Sequence, residues 1–239
     1  MEERILISDN IDPVGKKNVV EFLKEYITPH KQELVEKVHG QRTRLVTLVL
    51  EDIFKPHNAS AVIRTAECLG VQDVHIIEKS NQYKPNPWVL RGALKWMNIH
   101  HYSSKLENST EMCFNNLREK GYEIVATDVS NESIPLPELK ITGKTALVMG
   151  TEHSGISDYV RGNADKLVTI PMNGVTESFN VSVSAASCLN HLLEDIRNRI
   201  LAWHLSLEEI EELRYEWYKN IPTHAEDLIN HYVKQNNLG

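Results

Sequence analysis

Hydrophobic and polar positions alternate along the chain in blocks that predict strands and helices in turn. Two short apolar runs, "RLVTLVLE" and "DVHIIE", predict buried strands. The amphipathic segment between them predicts a helix that starts at Asn58 and is closed by Gly70. A helix that joins two buried strands is typical of a βαβ unit, so we expect these strands to be parallel.

The pattern continues through the middle of the chain. Four more strands are predicted by "KWMNIHHY", "YEIVATD", "KTALVMG" and "DKLVTIP". A helix is predicted over residues 106–120, and from Asn180 onward apolar residues recur at helical spacing, which predicts a long helix. About six strands interleaved with helices predict an α/β fold with a parallel sheet.

Helical segments flank this core. Two amphipathic helices are predicted before it and two after it, and the first of the later pair opens with a capping box, Ser206 to Glu209. We therefore expect an N-terminal helical extension over residues 1–44, a core domain over residues 45–204 and a C-terminal helical extension over residues 205–239.

Composition limits the class of protein. With 239 residues and 41% hydrophobic content, the chain can bury the core of one large domain. The N-terminus has no apolar run after a basic region, and no stretch approaches the ~20 apolar residues of a membrane span, so we expect a cytoplasmic protein without a membrane segment. Cys68, Cys113 and Cys188 are widely spaced and predict reduced core thiols, and no metal site is indicated.

The net charge of −7 is unevenly distributed. Residues 1–105 carry 15 Lys and Arg against 13 Asp and Glu, whereas residues 106–239 carry 11 against 20. An acidic C-terminal half can coexist with a basic surface elsewhere, so the acidic total does not exclude a nucleic-acid partner.

Three polar segments follow predicted strands, at the sheet edge where open α/β folds bind ligands. They are "EDIFKPHNASAVIRT", "GTEHSGIS" and "IPMNGVTESFN". Taken singly, each segment has a structural explanation as a helix cap or a turn. Arg64 is not explained in this way, because it lies among apolar residues of a helix, where a cation is normally avoided or paired. A buried pair with Glu152 is one explanation. G-x-S-x-G, P-loop and G-x-G-x-x-G motifs do not occur, which disfavours hydrolase and ordinary nucleotide-binding chemistry.

In this order and spacing, "KPHNASAVIRTAECLGVQDVHIIE", "ALVMGTEHSGIS" and "VTIPMNGVTESFNVSVSAASCL" resemble the three motifs of the SpoU-type RNA 2′-O-methyltransferases of the SPOUT superfamily. The flanking segments resemble the TrmH type, the tRNA guanosine-2′-O-methyltransferases. The resemblance implies a deep C-terminal trefoil knot, a homodimer and S-adenosylmethionine as cofactor. It implies methylation of a ribose 2′-hydroxyl, at guanosine 18 in the D-loop of tRNA.

The resemblance also assigns roles to individual residues. The catalytic set that it implies is Asn58, Arg64, Glu152, Ser178 and Asn180. The cofactor set, which also follows from placement after the fourth, fifth and sixth strands, is Thr127, Gly150, Ile170, Met172 and Phe179.

Chemistry refines these roles. A guanidinium keeps its proton at any ordinary pH, so we expect Arg64 to stabilise the developing alkoxide and orient the neighbouring phosphate rather than act as a base. Glu152 is expected to orient other groups, and His57 and His153 are candidate proton acceptors.

RNA binding requires cations that contact phosphates. The candidates are Lys31, Lys37, Arg42, Arg44, Lys55, Lys84, Arg91 and Lys95. Two alternatives stay open. One is a ribosomal RNA target, and the other is a non-catalytic RNA-binding knotted dimer. The presence of the complete catalytic set argues against the second.

Overall fold

The computed structural model describes residues 11–103, 108–200 and 202–236. The chain forms two compact units. One unit is Thr43–Trp203, and the other combines Met1–Arg42 with His204–Gly239. The N-terminal and C-terminal helices therefore belong to the same unit.

The larger unit is built on one parallel sheet. Its strands are β1 (Val46–Glu51), β2 (Asp73–Ile77), β3 (Asn98–Tyr102), β4 (Glu123–Thr127), β5 (Ile134–Pro135), β6 (Thr145–Met149) and β7 (Lys166–Thr169). They are ordered β3-β2-β1-β6-β4-β7-β5, and all paired neighbours are parallel. The α/β parallel sheet is confirmed, but it has seven strands and not six. The extra strand, β5, has two residues, which is too short to produce a sequence pattern.

Both units contain α-helices, and those of the larger unit cover both faces of the sheet. The helices are α1 (Pro13–Lys24), α2 (Pro29–His39), α3 (Pro56–Cys68), α4 (Pro87–Leu90), α5 (Ser109–Glu119), α6 (Asp158–Asn163), α7 (Val181–Arg199), α8 (Leu207–Lys219) and α9 (Ala225–Asn236). Residues of β1 at alternate positions pack against α3 and α7 on one face and against α5 and α6 on the other, as the period of two requires. Burial on both faces explains why β1 is a continuous apolar run.

Helix boundaries follow the sequence signals with one exception. Gly70 closes α3 with φ 91°, as predicted, and the predicted long helix is α7, which begins directly after its N-cap Asn180. The prediction that α3 starts at Asn58 is wrong, because Pro56 occupies the first position and Lys55 is the N-cap. Asn58 lies inside the first turn, which frees its side chain for another role. Residues 106 and 107 of the helix predicted over residues 106–120, which corresponds to α5, lie outside the described residues.

The predicted core thiols are confirmed in two cases out of three. Cys113 and Cys188 are buried, whereas Cys68 is exposed at the end of α3. No helix in the described ranges is long and apolar enough to cross a membrane.

The smaller unit packs α1 and α2 against α8, and α1 against α9. Trp217 stacks on His39 with ring centroids 4.5 Å apart, and the guanidinium of Arg42 lies 5.5 Å from the Trp217 ring. The Arg42 side chain is completely buried. This arrangement makes Arg42 part of the packing of the helical unit.

A buried polar cluster joins β2 to β3. His75 is 2% exposed, its ring stacks on His100 at 4.6 Å, and its Nδ1 lies 3.1 Å from the Tyr102 hydroxyl. Asp73 accepts hydrogen bonds from Arg44 and Asn98, and its Oδ1 lies 3.1 Å from Nε2 of His100. Burial, reinforced by the neighbouring His100, lowers the pKa of His75 to about 3. The ring is therefore neutral in the folded protein at physiological pH.

The low pKa of His75 predicts a loss of stability in acid. An unfolded histidine binds a proton near pH 6.5 and the folded one near 3, so the folded state is favoured above pH 6.5 and loses this advantage as pH falls from 6.5 towards 3. Between pH 7 and 5 the contribution is up to about 2 kcal/mol of unfolding free energy. Urea denaturation across this range should show a smaller loss in His75→Phe than in wild type.

The control is His231→Phe, which removes an exposed histidine from the helical unit. This control should show the wild-type pH dependence. An unchanged pH dependence in His75→Phe would contradict the assignment of the effect to His75.

Candidate active site

A cavity of about 310 Å³ lies at the carboxyl ends of β4, β6 and β7. Parallel strands bring their following loops to one edge, so the cavity is bounded by segments that are distant in sequence. All five predicted cofactor residues line it: Thr127, Gly150, Ile170, Met172 and Phe179. Two members of the predicted catalytic set, Glu152 and Ser178, line it as well.

Gly150 allows a tight turn to close against the end of β6. Thr151 N donates to Gly155 O at 2.8 Å, and Gly155 N donates back to Thr151 O at 3.2 Å. A Cβ atom on residue 150 would lie 2.2 Å from the carbonyl carbon of Gly155, a distance that no side chain tolerates. Gly155 itself has φ 69°, in the left-handed region. The two glycines therefore shape this wall of the cavity.

Glu152, in this turn, caps the start of α3. Its carboxylate accepts hydrogen bonds from the backbone N–H groups of Phe54 (3.0 Å) and Lys55 (3.1 Å) and from Asn58 Nδ2 (2.7 Å). Burial raises the pKa of Glu152, but the bonds from Asn58 and from the backbone outweigh this effect and the pKa is lowered. The side chain is therefore an ionised acceptor at neutral pH, which suits an orienting role.

The third segment joins the same junction through Asn180. Asn180 Nδ2 lies 3.4 Å from Asn58 Oδ1, and Asn180 Oδ1 accepts from Ser182 N (2.9 Å) at the first turn of α7. Asn58 thus links Glu152 to Asn180. Three of the predicted catalytic residues, one from each motif, are brought together.

Arg64 lies elsewhere. It is exposed on α3, and its Nη1 donates to Val89 O at 3.4 Å. It borders a separate surface depression together with Ala186 and Asn190 of α7. The buried pair between Arg64 and Glu152 that the sequence suggested is wrong, because Arg64 is exposed and the carboxylate of Glu152 is engaged with α3.

Other residues of the cavity were not singled out by the sequence. Asp128, immediately after β4, pairs with Arg161 of α6, and Glu177 precedes Ser178. The position of Asp128 at the carboxyl end of a predicted strand was a usable signal. No sequence signal pointed to Arg161. It lies on α6, beyond the second motif, and only the folded chain brings its side chain to the cavity.

The predicted RNA contacts differ in their availability. Among the residues of the larger unit, Lys55, Lys84, Arg91 and Lys95 are exposed, but Arg44 donates to Asp73 at 2.8 Å. In the helical unit the predicted contacts differ in exposure. Lys37 is exposed, Lys31 is partly buried, and Arg42 is not available for phosphate contact because it is completely buried.

The histidines that flank the motifs are surface residues. His57 and His153 are exposed, and His153 contacts the ring of Phe54 edge-on, with centroids 6.0 Å apart. Among the residues that the structure describes, His, Cys, Asp and Glu form no group of three that could hold a metal ion.

The fold and the cavity define a parallel α/β protein with a ligand site at the carboxyl edge of its sheet. Residues 45–190 match the SpoU rRNA Methylase family. The chain therefore belongs to this family, and the resemblance drawn from the three polar segments is confirmed.

Curated relatives cover most of the chain. A protein of Borreliella burgdorferi named tRNA (guanosine(18)-2′-O)-methyltransferase is 41% identical over 211 residues, which are 87% of this chain and 94% of the relative. A protein of Aquifex aeolicus with the same name is 28% identical over 200 residues, 82% of this chain and 92% of the relative.

Solved structures agree. The crystal structure of the A. aeolicus TrmH/SpoU tRNA modifying enzyme matches with a TM-score of 0.71 and 27% identity, covering 81% of this chain and 98% of that one. AviRb of Streptomyces viridochromogenes in complex with AdoMet shares the fold at a TM-score of 0.53 and 21% identity, covering 67% of this chain and 60% of that one.

Proposed function

We propose that this protein transfers the methyl group of S-adenosylmethionine to the ribose 2′-hydroxyl of guanosine 18 in tRNA. Two curated relatives that align over most of the chain carry the name of this activity. The observation that carries the proposal is the junction of Glu152, Asn58 and Asn180, which joins all three motifs beside a cavity lined by every predicted cofactor residue.

The cavity suits this cofactor chemically. Ile170, Met172 and Phe179 offer apolar surface for an adenine ring, and the carboxylates of Asp128 and Glu177 offer acceptors for hydroxyl and ammonium groups. The cofactor, when bound, supplies an electrophilic methyl group on a positively charged sulfonium. Exposed Phe179 gains a partner on binding, since 46% of its surface is accessible.

Arg64 supplies the cation that the reaction requires. A ribose hydroxyl is a poor nucleophile, and a fixed guanidinium lowers the cost of charge that develops on its oxygen. Arg64 is exposed, and among the residues that the structure describes its one hydrogen bond is a long one to Val89 O, so its donors are available to a ribose and an adjacent phosphate. Glu152 and Asn58 orient the start of the helix that carries it.

We also propose a cytoplasmic homodimer with a C-terminal trefoil knot. Within one chain, Arg64 faces a depression shared with α7 rather than the cofactor cavity. A second copy seated on the α3 and α7 surface would bring a guanidinium to a cofactor cavity. The knot is supported by membership of the family.

RNA is held by cations of the larger unit, namely Lys55, Lys84, Arg91 and Lys95, with Lys37 as a further contact in the helical unit. Deleting residues 1–40 is a poor test of this role, because α1 and α2 pack against α8 and α9 and their removal would expose buried Tyr215 and Tyr218. Charge reversal at exposed lysines avoids that problem.

The function is tested with purified protein, S-adenosylmethionine and RNA transcripts. We expect one methyl group per tRNA, mapped to guanosine 18 by primer extension, and no effect of a metal chelator. A transcript with adenosine at that position should not be methylated.

Ribosomal RNA transcripts are tested in parallel as the alternative substrate, because the family description names rRNA. Methylation of ribosomal RNA in preference to tRNA would replace the proposed substrate. RNA binding with no methyl transfer to either RNA would favour a non-catalytic dimer.

The role of Arg64 gives a second prediction. Arg64→Ala should abolish methylation while leaving the affinity for S-adenosylmethionine and the unfolding free energy close to wild type, because the side chain is exposed. Arg64→Lys should be almost as inactive, because an ammonium lacks the fork that holds an oxyanion and a phosphate together.

Rates of methyl transfer and calorimetric cofactor titrations measure the two effects separately. Arg118→Ala, on α5 at the opposite face of the sheet, is the control and should keep full activity. Substantial turnover by Arg64→Lys would show that a positive charge alone is sufficient.

A further inference from the structure

Trp88 is the most exposed aromatic ring among the large hydrophobic side chains that the structure describes. It lies in α4, the single helical turn after β2, and 83% of its surface is accessible. A tryptophan normally buries a large apolar area, so a ring left in water at a fixed position is suited to contact a partner.

The segment that carries Trp88 is held firmly. Asn86 Oδ1 accepts from the backbone N–H of Trp88 at 3.2 Å and of Val89 at 3.4 Å, which caps α4. Asn86 N donates to Ser60 Oγ of α3 at 3.0 Å, and Leu90 is buried in the core. The indole is therefore presented from an anchored turn, and stacking on it requires little ordering of the backbone.

The same turn contacts Arg64. Arg64 Nη1 donates to the carbonyl oxygen of Val89, the residue next to Trp88. Ser60, which anchors Asn86, precedes Arg64 by one turn of α3. The proposed catalytic guanidinium and the turn that carries the exposed indole are thus neighbours on one surface.

The charge around Trp88 identifies the partner. Residues 79–97 contain four Lys or Arg and no Asp or Glu, in a chain with net charge −7. Lys79, Lys84, Arg91 and Lys95 are all exposed, and Lys79 also pairs with Glu51. An aromatic platform flanked by cations is the combination that binds single-stranded nucleic acid, because bases stack on the ring and phosphates contact the cations.

We propose that Trp88 stacks on an unpaired nucleobase of the RNA substrate, close to the nucleotide whose ribose faces Arg64. This inference rests on the proposed function and adds a residue that positions the substrate. Trp88 determines affinity for the RNA and does not take part in methyl transfer or cofactor binding.

The test compares Trp88→Ala, Trp88→Tyr and the control Met112→Ala, which removes an exposed apolar side chain from α5 on the other face of the sheet. Base stacking on an aromatic residue contributes about 1–3 kcal/mol, which corresponds to roughly a 5- to 150-fold change in affinity. In Trp88→Ala, the KM for a tRNA transcript should rise within that range, while cofactor affinity and the melting temperature stay at wild-type values. Trp88→Tyr should recover most of the loss, and Met112→Ala should match wild type.

Fluorescence gives a readout that does not depend on activity. Addition of tRNA should quench the tryptophan emission of wild type, and this quenching should be largely lost in Trp88→Tyr even though the variant still binds RNA. An unchanged KM and unchanged quenching in the Trp88 variants would overturn the inference.

Two other results separate the possible failures. If Trp88→Ala converted a dimer into monomers in sedimentation experiments, Trp88 would be a protein contact and the inference would be wrong. If wild type bound tRNA with Trp88-dependent quenching but methylated no RNA, the proposed function would fail while the stacking site stood.

Discussion

The site depends on one carboxylate that accepts three hydrogen bonds. Glu152 binds the backbone of Phe54 and Lys55 and the side chain of Asn58, and Asn58 in turn approaches Asn180. An ionised acceptor at a helix N-terminus satisfies N–H groups that would otherwise lack partners and is favoured by the helix dipole. These hydrogen bonds therefore hold the turn after β6, the start of α3 and the start of α7 in one arrangement. The first and third of these segments bound the proposed cofactor cavity.

This arrangement also links the proposed cofactor cavity to the proposed RNA-binding surface. The helix α3 begins at the Glu152 junction and carries Arg64 six residues after Asn58, a rise of about 9 Å along the axis. Ser60 of the same helix anchors the turn that presents Trp88, and Arg64 lies beside that turn. A displacement at the start of α3 would therefore move the proposed catalytic cation and the proposed stacking ring together.

Sequence reasoning succeeded where a local pattern has a direct structural meaning. The buried strand β1 followed from an apolar run, and the start of α7 followed from helical spacing of apolar residues. Thr127 and Ile170 line the cavity at the carboxyl ends of strands, the edge of the sheet where a ligand site was expected. Sequence reasoning failed where partners are distant in the chain. The carboxylate of Glu152 contacts residues about 95 positions away, Arg42 is buried by a tryptophan from the C-terminal helices, and neither fact has a trace in local periodicity.

The most direct test of this account is a double-mutant cycle between Glu152 and Asn58, with unfolding free energy as the measurement. Glu152→Ala and Asn58→Ala should each cost about 1–3 kcal/mol, because each leaves polar groups without their partner. The double variant should cost clearly less than the sum of the two, since both substitutions remove the same interaction, with a coupling of roughly 0.5–3 kcal/mol. Glu177→Ala, an exposed carboxylate of the same cavity, is the control and should change stability little. Strict additivity of Glu152→Ala and Asn58→Ala, or a Glu152→Ala variant as stable as wild type, would contradict the claim that this carboxylate holds the site together.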